Sequence, residues 1–295
     1  MDDTLAGSYR FCQRMARHSA SNFYYSFLLL PRPKRKAMCA LYAFLRATDD
    51  LGDNLRDLEC RRRDLDLWQA AFQRALTGHF DHPLLPALAD TVHRYQIPEE
   101  LLQAVIDGVR MDLTQTRYGS FAELENYCHH VAGVVGMACI HVWGFRGPEA
   151  LPAARNCGIA FQLTNILRDL KEDAACDRVY LPQEDLARFG YSEADLRSEV
   201  RNEAFQQLMQ FEIERAEDYY RRSQDLDHWL SADGRRVLSA MVATYHGLLD
   251  EMKRLNGDVF SARIRLSGWR KLRIATRLLL FQPRPLTSLV GAARS

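Results

Sequence analysis

The segment QLTNILRDLKED, residues 162–173, combines the apolar spacing of a helix with a pair of aspartates. Asp169 and Asp173 stand four residues apart, about one helical turn, so their carboxylates share a face. Both lie within about 20° of Gln162 on the helical wheel, and Asn165 lies about 60° away. Carboxylate and amide oxygens are hard ligands that suit Mg²⁺, which binds through few protein oxygens together with substrate phosphate.

A second acidic segment, residues 42–53, reads YAFLRATDDLGD and repeats this spacing. Measured from Tyr42, Arg46 falls at about 40°, Asp49 at about −20° and Asp53 at about 20° on the wheel. One stripe therefore carries a phenol, a guanidinium and two carboxylates. Taken alone, the pattern could be a solvated acidic face, but the apolar residues upstream indicate a buried helix.

The two acidic segments predict a site for diphosphate chemistry. Two facing carboxylate clusters repel one another unless cations lie between them. Mg²⁺ and a diphosphate would balance the charges, and Arg168 can supply a forked donor to phosphate oxygens. The chemistry that needs this arrangement is departure of diphosphate from an allylic carbon, with metal ions acting as Lewis acids on the leaving oxygens. The resulting carbocation requires a dry, apolar pocket.

Helical periodicity runs through the whole chain, and strand signals are nearly absent. Short Pro or Gly breaks separate the periodic segments, and no linker or repeat divides them. We therefore expect one all-α domain over residues 1–295, a helical bundle with a central cavity, ending in a flexible tail over residues 281–295. The helices are predicted over residues 4–20, 34–55, 58–77, 84–95, 98–116, 120–145, 149–173, 183–188, 193–229, 232–255 and 269–281.

Composition argues against several classes of function. The net charge of +1 predicts no nucleic-acid partner. Seven scattered cysteines without a CxxC pair indicate reduced thiols and neither a zinc knuckle nor a disulfide framework. The acidic N-terminus lacks the apolar core of a signal peptide, and the apolar residues 131–145 are too few to span a bilayer. We expect a cytoplasmic protein with at most a peripheral contact to the inner membrane surface.

Beyond the two acidic segments, ordered motifs resemble those of the squalene/phytoene synthase family, the head-to-head trans-prenyltransferases. They are SNFYY at residues 21–25, YCHHVAGVVG at residues 127–136 and DRVYLP at residues 177–182. The resemblance extends from about Tyr9 to Lys271. It implies the all-α isoprenoid-synthase fold and condensation of two C15 or C20 allylic diphosphates.

The resemblance also implies a catalytic Mg²⁺ site, with roughly two or three ions held together with the diphosphate. Its ligands by matching position are Asp49, Asp53, Asn165, Asp169 and Asp173. The residues that it places at the diphosphate end are Tyr42, Arg46, Gln162 and Arg168. Tyr127 would be the phenol near the reacting carbons, where it removes a proton or steers the cation. The alternative for Tyr127 is a buried tyrosine bonded to a neighbouring helix.

Glycines mark places where backbones can approach closely. Gly158 lies just upstream of the acidic segment 162–173, where it lets the chain pack tightly. Gly133 and Gly136, three residues apart on one side of a helix, would leave room for prenyl chains or would serve only close helix packing.

A basic stretch followed by apolar residues lies near the C-terminus. One interpretation is a cationic lid over diphosphate, with Arg265 and Lys271 as substrate-binding candidates. Another is a membrane-surface helix through which an oily product leaves, giving a peripheral membrane contact. A third is a solvated basic helix packed on its apolar side.

Residues 23–27 and 111–118 most resemble bacterial presqualene diphosphate and squalene synthases. We therefore expect two farnesyl diphosphates to condense to presqualene diphosphate, with NADPH needed if the product is squalene. The alternative is synthesis of phytoene, or of C30 dehydrosqualene, in carotenoid formation. A terpene cyclase is disfavoured by the duplicated aspartate spacing, and a calcium-binding scaffold lacks an EF-hand loop.

Overall fold

The computed structural model describes residues 2–18, 22–54, 56–261, 264–265 and 285–290, and every regular element within them is a helix. The helices are α1 (Asp2–His18), α2 (Asn22–Phe27), α3 (Arg32–Gly52), α4 (Leu58–Leu76), α5 (Leu85–Tyr95), α6 (Glu99–Asp112), α7 (Phe121–Cys128), α8 (Val134–Trp143), α9 (Ala150–Arg168), α10 (Leu170–Ala175), α11 (Gln183–Phe189), α12 (Glu193–Arg197), α13 (Glu203–Arg222), α14 (Leu226–Trp229), α15 (Ala232–Arg254) and α16 (Leu286–Leu289). A π-helical turn, His129–Gly133, joins α7 to α8. The predicted all-α class is confirmed.

Three of the long predicted helices divide in the structure. The prediction over residues 120–145 is interrupted by the π-helical turn. The helix predicted over residues 149–173 is broken at Asp169, whose φ of −103° and ψ of 15° separate α9 from α10. The prediction over residues 193–229 divides into α12, α13 and α14, because Asn202 starts α13 by accepting a hydrogen bond from the Phe205 N–H at 2.9 Å. The predicted helix 269–281 lies outside the described residues.

Helix starts follow their sequence signals. Pro31 stands immediately before α3, as expected for a residue that lacks an N–H. The side chain of Ser120 caps α7 by accepting from the Glu123 N–H at 3.4 Å. The return bond of a capping box is displaced by one residue, since the Glu123 carboxylate accepts from the N–H of Gly119 at 2.8 Å and not from that of Ser120.

Helix α9 is the central element of the bundle. It packs against α8, α13, α15 and the π-helical turn, and most of its residues are buried. A Cβ added at Gly158 would meet the Ala132 carbonyl oxygen at 2.2 Å, and one at Gly136 would meet the Ala154 carbonyl oxygen at 2.5 Å. The backbone of α9 therefore touches the π-helical turn at Gly158 and α8 at Gly136, which confirms the close packing expected at Gly158.

The described helices include none that is both long and apolar enough to cross a bilayer. Of the tail expected to be flexible, the structure describes only residues 285–290. There Leu286 is fully buried, and its N–H donates to Asp227 Oδ2 at 2.9 Å. That short segment packs against the bundle, which its sequence did not indicate.

An ionic cluster ties α13 to α15 and gives the fold a pH dependence. His246 Nε2 lies 3.1 Å from Glu217 Oε2 and Nδ1 lies 3.4 Å from Asp250 Oδ2. Burial alone would lower the pKa of His246, but the hydrogen bonds to Asp250 and Glu217 outweigh it and raise the pKa to about 9. Because the folded pKa exceeds the ordinary value of 6.5, the stabilisation is complete below 6.5 and is lost as pH rises through 9.

We expect the wild type to lose about 3 kcal/mol of unfolding free energy between about pH 6 and about pH 10 relative to His246→Gln. The comparison with the variant removes the contributions of other groups that titrate in this range. Chemical denaturation at each pH measures the difference. His93→Gln, at an exposed histidine, is the control and should follow the wild type. Parallel curves for wild type and His246→Gln would contradict the prediction.

Candidate active site

A cavity of about 310 Å³ lies between α3, α6, α8, α9 and α15. Its walls are apolar along most of their extent, with Val105 and Val109 from α6 and Leu238 and Met241 from α15 among them. Five polar residues also line the cavity, and they come from the C-terminal halves of α3 and α9. They are Tyr42, Arg46, Asp49, Gln162 and Asn165. These five residues are all among those that the sequence predicts.

On α3, Asp49 carries the carboxylate that faces the cavity. The residue is exposed overall, but the surrounding protein desolvates the carboxylate and raises its pKa to about 7. Arg46 lowers that pKa, while Asp53 and Asp112 raise it further. Arg46 is held in the same helix by Asp50, with Nη2 to Oδ1 at 2.5 Å. The local field therefore favours a cation beside Asp49.

On α9 and α10, Arg168 forks onto Asp169, with Nε to Oδ1 at 2.8 Å and a second bond from Nη2 to Oδ2. Burial raises the pKa of Asp173 to about 7, and the charge of Asp169 adds to the shift. Asn165 lies one turn earlier, beside the Tyr245 hydroxyl, and its Oδ1 is buried without a hydrogen-bond partner among the described residues. A buried carbonyl oxygen in this state is an available ligand.

Arg178 was not among the predicted site residues. It lies between two groups of carboxylates, called here the two acidic groups: those of α3 and α6, and those of α10. Its Nη2 lies 3.8 Å from Asp53 Oδ1 at the end of α3. The same guanidinium lowers the pKa of Asp112 and of Asp173. It therefore stands between the carboxylates of α3 and α6 and those of α10. The signal in the sequence was its position in the motif DRVYLP, five residues after Asp173.

Asp112 is the second functional candidate that the sequence analysis missed. Burial raises its pKa to about 6, and hydrogen bonds from Tyr127 and Tyr180 act against the shift. The Tyr127 hydroxyl donates to Asp112 Oδ2 at 3.1 Å, and the Tyr180 hydroxyl donates to Oδ1 at 3.3 Å. A helical spacing could have revealed it, because Val105, Val109 and Asp112 are i, i+4 and i+7 on one face of α6.

Five of the predicted site residues line the cavity, as given above, and the others are not part of its lining. Tyr127 is 3% exposed, is absent from the cavity lining and bonds to Asp112 of α6, the arrangement of the alternative interpretation. Arg265 is exposed, and Lys271 lies outside the described residues. The remaining predicted residues sit beside the cavity lining without belonging to it: Asp53, Arg168, Asp169 and Asp173.

The donor set could hold a hard divalent cation such as Mg²⁺. It consists of carboxylate and amide oxygens, and the pKa values of Asp49 and Asp173 are raised partly by neighbouring negative charges. Elsewhere in the described part of the chain, Glu217, His246 and Asp250 bring ligand atoms within 4.8 Å of one another. There Lys253 pairs with Glu217 and the imidazole faces both carboxylates, so cationic side chains already balance the charge.

The chain resembles known proteins both in sequence and in structure. A family model described as squalene/phytoene synthase matches residues 16–270. The 15-cis-phytoene synthase of Synechococcus elongatus is 37% identical over 281 residues, 91% of each chain. A solved dehydrosqualene synthase has a TM-score of 0.85 at 25% identity and covers 93% of this chain and 96% of its own. Squalene synthase HpnC from Alicyclobacillus acidocaldarius has a TM-score of 0.81 at 27% identity, covering 85% and 95%.

Proposed function

Because the chain belongs to the squalene/phytoene synthase family, we propose that it condenses two geranylgeranyl diphosphates head to head and forms phytoene. The family is one of prenyltransferase-type enzymes with the all-α fold observed here. The choice of the C20 substrate is supported by the sequence relatives, which are named phytoene synthases at 32–37% identity. It replaces the C15 substrate that residues 23–27 and 111–118 suggested.

The cavity is the observation that carries this proposal. Apolar walls extend from one polar end, where Tyr42, Arg46, Asp49, Gln162 and Asn165 lie. A molecule with a charged head and a long hydrocarbon chain matches that distribution of polarity. The same walls exclude water from a carbocation formed near the polar end.

Mg²⁺ held by Asp49, Asp53, Asn165, Asp169 and Asp173 would act as a Lewis acid on the leaving diphosphate oxygens. The chain's own cations share this task. Arg168 lies next to Asp169 and Arg178 between the two acidic groups, so both guanidinium groups can donate to phosphate oxygens. The preorganised cations stabilise negative charge as it develops on the leaving group.

Tyr127 and Asp112 form a hydrogen-bonded pair near the carboxylates of α3, since the charge of Asp112 raises the pKa of Asp49. The Tyr127 hydroxyl donates to Asp112 at 3.1 Å, and burial keeps the pKa of the phenol well above its ordinary value. A neutral phenol held by a carboxylate can pass a proton from the substrate side to Asp112. Tyr127 does not line the cavity, so this bond fits a buried tyrosine that ties α7 to α6 as well as the role in proton removal that the resemblance implied.

The overall chemistry needs no reductant. Each C20 unit loses its diphosphate, one carbon–carbon bond forms between the two units, and two protons leave to give a hydrocarbon with a central double bond. A saturated central bond, as in squalene, would need a hydride donor. NADPH, which was considered with the squalene product, is therefore not part of the proposed reaction.

Incubation with Mg²⁺ and either farnesyl or geranylgeranyl diphosphate, with and without NADPH, tests the proposal. We expect a C40 hydrocarbon from geranylgeranyl diphosphate in equal amount with and without NADPH, identified by mass spectrometry. The likeness to a dehydrosqualene synthase at a TM-score of 0.85 supports a second candidate, a C30 product from farnesyl diphosphate. A C30 product alone would favour that candidate, and a cyclised product from one substrate would refute both.

A further inference from the structure

Trp143, at the end of α8, lies at the opposite end of the cavity from the acidic residues. Lys34 Nζ donates to the Trp143 carbonyl at 2.6 Å, which places Trp143 beside the start of α3. From Lys34 to Asp49 the axis of α3 extends roughly 22 Å. Trp143 and Asp49 both line the cavity, so they mark its two ends.

The packing of α8 on α9 gives the same orientation independently. The backbone at Ala132 lies against Gly158, and Gly136 lies against the earlier residue Ala154. The two helices are therefore antiparallel, and α8 moves away from the acidic end of α9 as it approaches Trp143. By helical rise, Trp143 is roughly 10 Å beyond Gly136.

The starts of two helices hold Trp143 in place. Its carbonyl accepts from Ser231 Oγ at 2.5 Å as well as from Lys34, and Lys34 Nζ pairs with Asp233 Oδ2 at 2.8 Å. A Cβ added at Gly234 would meet Trp143 Cβ at 3.0 Å, so α15 packs directly against this residue. The starts of α3 and α15 thus fix the backbone of Trp143.

The indole of Trp143 contributes bulk and no hydrogen bond within the described structure. The residue is 3% exposed, and its Nε1 is buried without a partner among the described residues. A buried donor without a partner is destabilising. The indole therefore contributes volume at this end of the cavity, and tryptophan is the largest residue type in the cavity lining.

We propose that Trp143 limits the length of the prenyl chain that the cavity accepts, by closing the end remote from the diphosphate. The proposal rests on the function proposed above. A chain with one more isoprene unit would have to displace the indole of a residue whose backbone is held by the starts of α3 and α15. Hydrophobic pockets discriminate about 10- to 200-fold for a single methylene, so exclusion of five further carbons is well within reach.

A competition assay tests the proposal directly. Equimolar geranylgeranyl and geranylfarnesyl diphosphates are supplied with Mg²⁺, and the ratio of C50 to C40 products is measured by mass spectrometry. Trp143→Leu should raise this ratio about tenfold or more relative to wild type. Trp143→Phe, which keeps a ring and removes the unpaired donor, should raise it less. Trp229→Leu is the matched control, because Trp229 does not line the cavity.

The outcomes distinguish this proposal from the one on which it rests. If the wild type forms no head-to-head product from any diphosphate, the proposed function is wrong and the role of Trp143 falls with it. If the wild type condenses the C20 substrate but both Trp143 variants keep the product ratio of Trp229→Leu, only the role of Trp143 is refuted. Should thermal unfolding show that Trp143→Leu does not fold, Trp143→Phe alone decides.

Discussion

Replacing Asp49 with asparagine is expected to lower kcat/KM about a thousandfold, the upper range for loss of one preorganised group in a charge-stabilising site. Asp49 is the carboxylate that lines the cavity, and its pKa of about 7 reflects burial together with the charges of Asp53 and Asp112. The amide keeps the shape of the side chain and removes the negative charge that would hold a divalent cation. Steady-state assays with geranylgeranyl diphosphate measure the loss.

Asp50→Asn provides a matched control at the neighbouring position. Asp50 does not line the cavity, although its ion-pair partner Arg46 does, and the side chains of Asp50 and Arg46 are 48% and 47% exposed. We expect this variant to keep most of the wild-type activity. Calorimetric titration with Mg²⁺ and inorganic diphosphate adds a readout besides turnover, since Asp49→Asn should weaken this binding and Asp50→Asn should not. Equal losses in both variants would show that charge near α3, and not Asp49 itself, matters.

Much of the site was predictable because its residues follow helical spacing. Tyr42, Arg46 and Asp49 share one stripe of α3, and a wheel places them together without knowledge of the fold. Gln162 and Asn165 follow the same rule on α9. The five cavity residues were found in this way because each belongs to a regular helix whose apolar side is buried.

The parts that the sequence did not reveal depend on tertiary structure or on irregular backbone. Asp169 ends α9, so the wheel that joined it to Asp173 as one helix was wrong at that point. The π-helical turn after Cys128 changes the direction of the residues that follow it, and periodicity alone does not show it. Arg178 reaches Asp53 from a loop more than a hundred residues away in the chain, a contact that no local pattern predicts.

The substrate was the least predictable feature, for a physical reason. Farnesyl and geranylgeranyl diphosphates share the charged head and differ only in hydrocarbon length. In the proposed reaction the acidic segments would bind the head, so their motifs would be the same for either chain. Chain length would be set by the apolar walls and by Trp143, and many apolar side chains serve equally well in a helix pattern. The motifs therefore identified the chemistry better than the substrate.

Arg178→Met is expected to lower kcat about a hundredfold, the magnitude found when one donor to a developing negative charge is removed. Arg178 lies 3.8 Å from Asp53 and lowers the pKa values of Asp112 and Asp173, so its guanidinium faces both acidic groups. Arg46 and Arg168 are each paired with an aspartate beside them. A charge that develops on the leaving diphosphate would meet Arg178 chiefly in the transition state, so kcat should fall more than KM rises.

Two further variants separate charge from structure at this position. Arg178→Lys keeps the positive charge without the fork and should recover part of the lost kcat. Arg197→Met is the matched control, because Arg197 makes ion pairs with Asp177 and Glu193 and has a side chain that is 48% exposed. If Arg178→Met raised KM alone, the guanidinium would serve substrate binding and not departure of the diphosphate. If Arg178→Met kept the same activity as Arg197→Met, the prediction would be wrong, because the position of Arg178 between the acidic groups would have no chemical consequence.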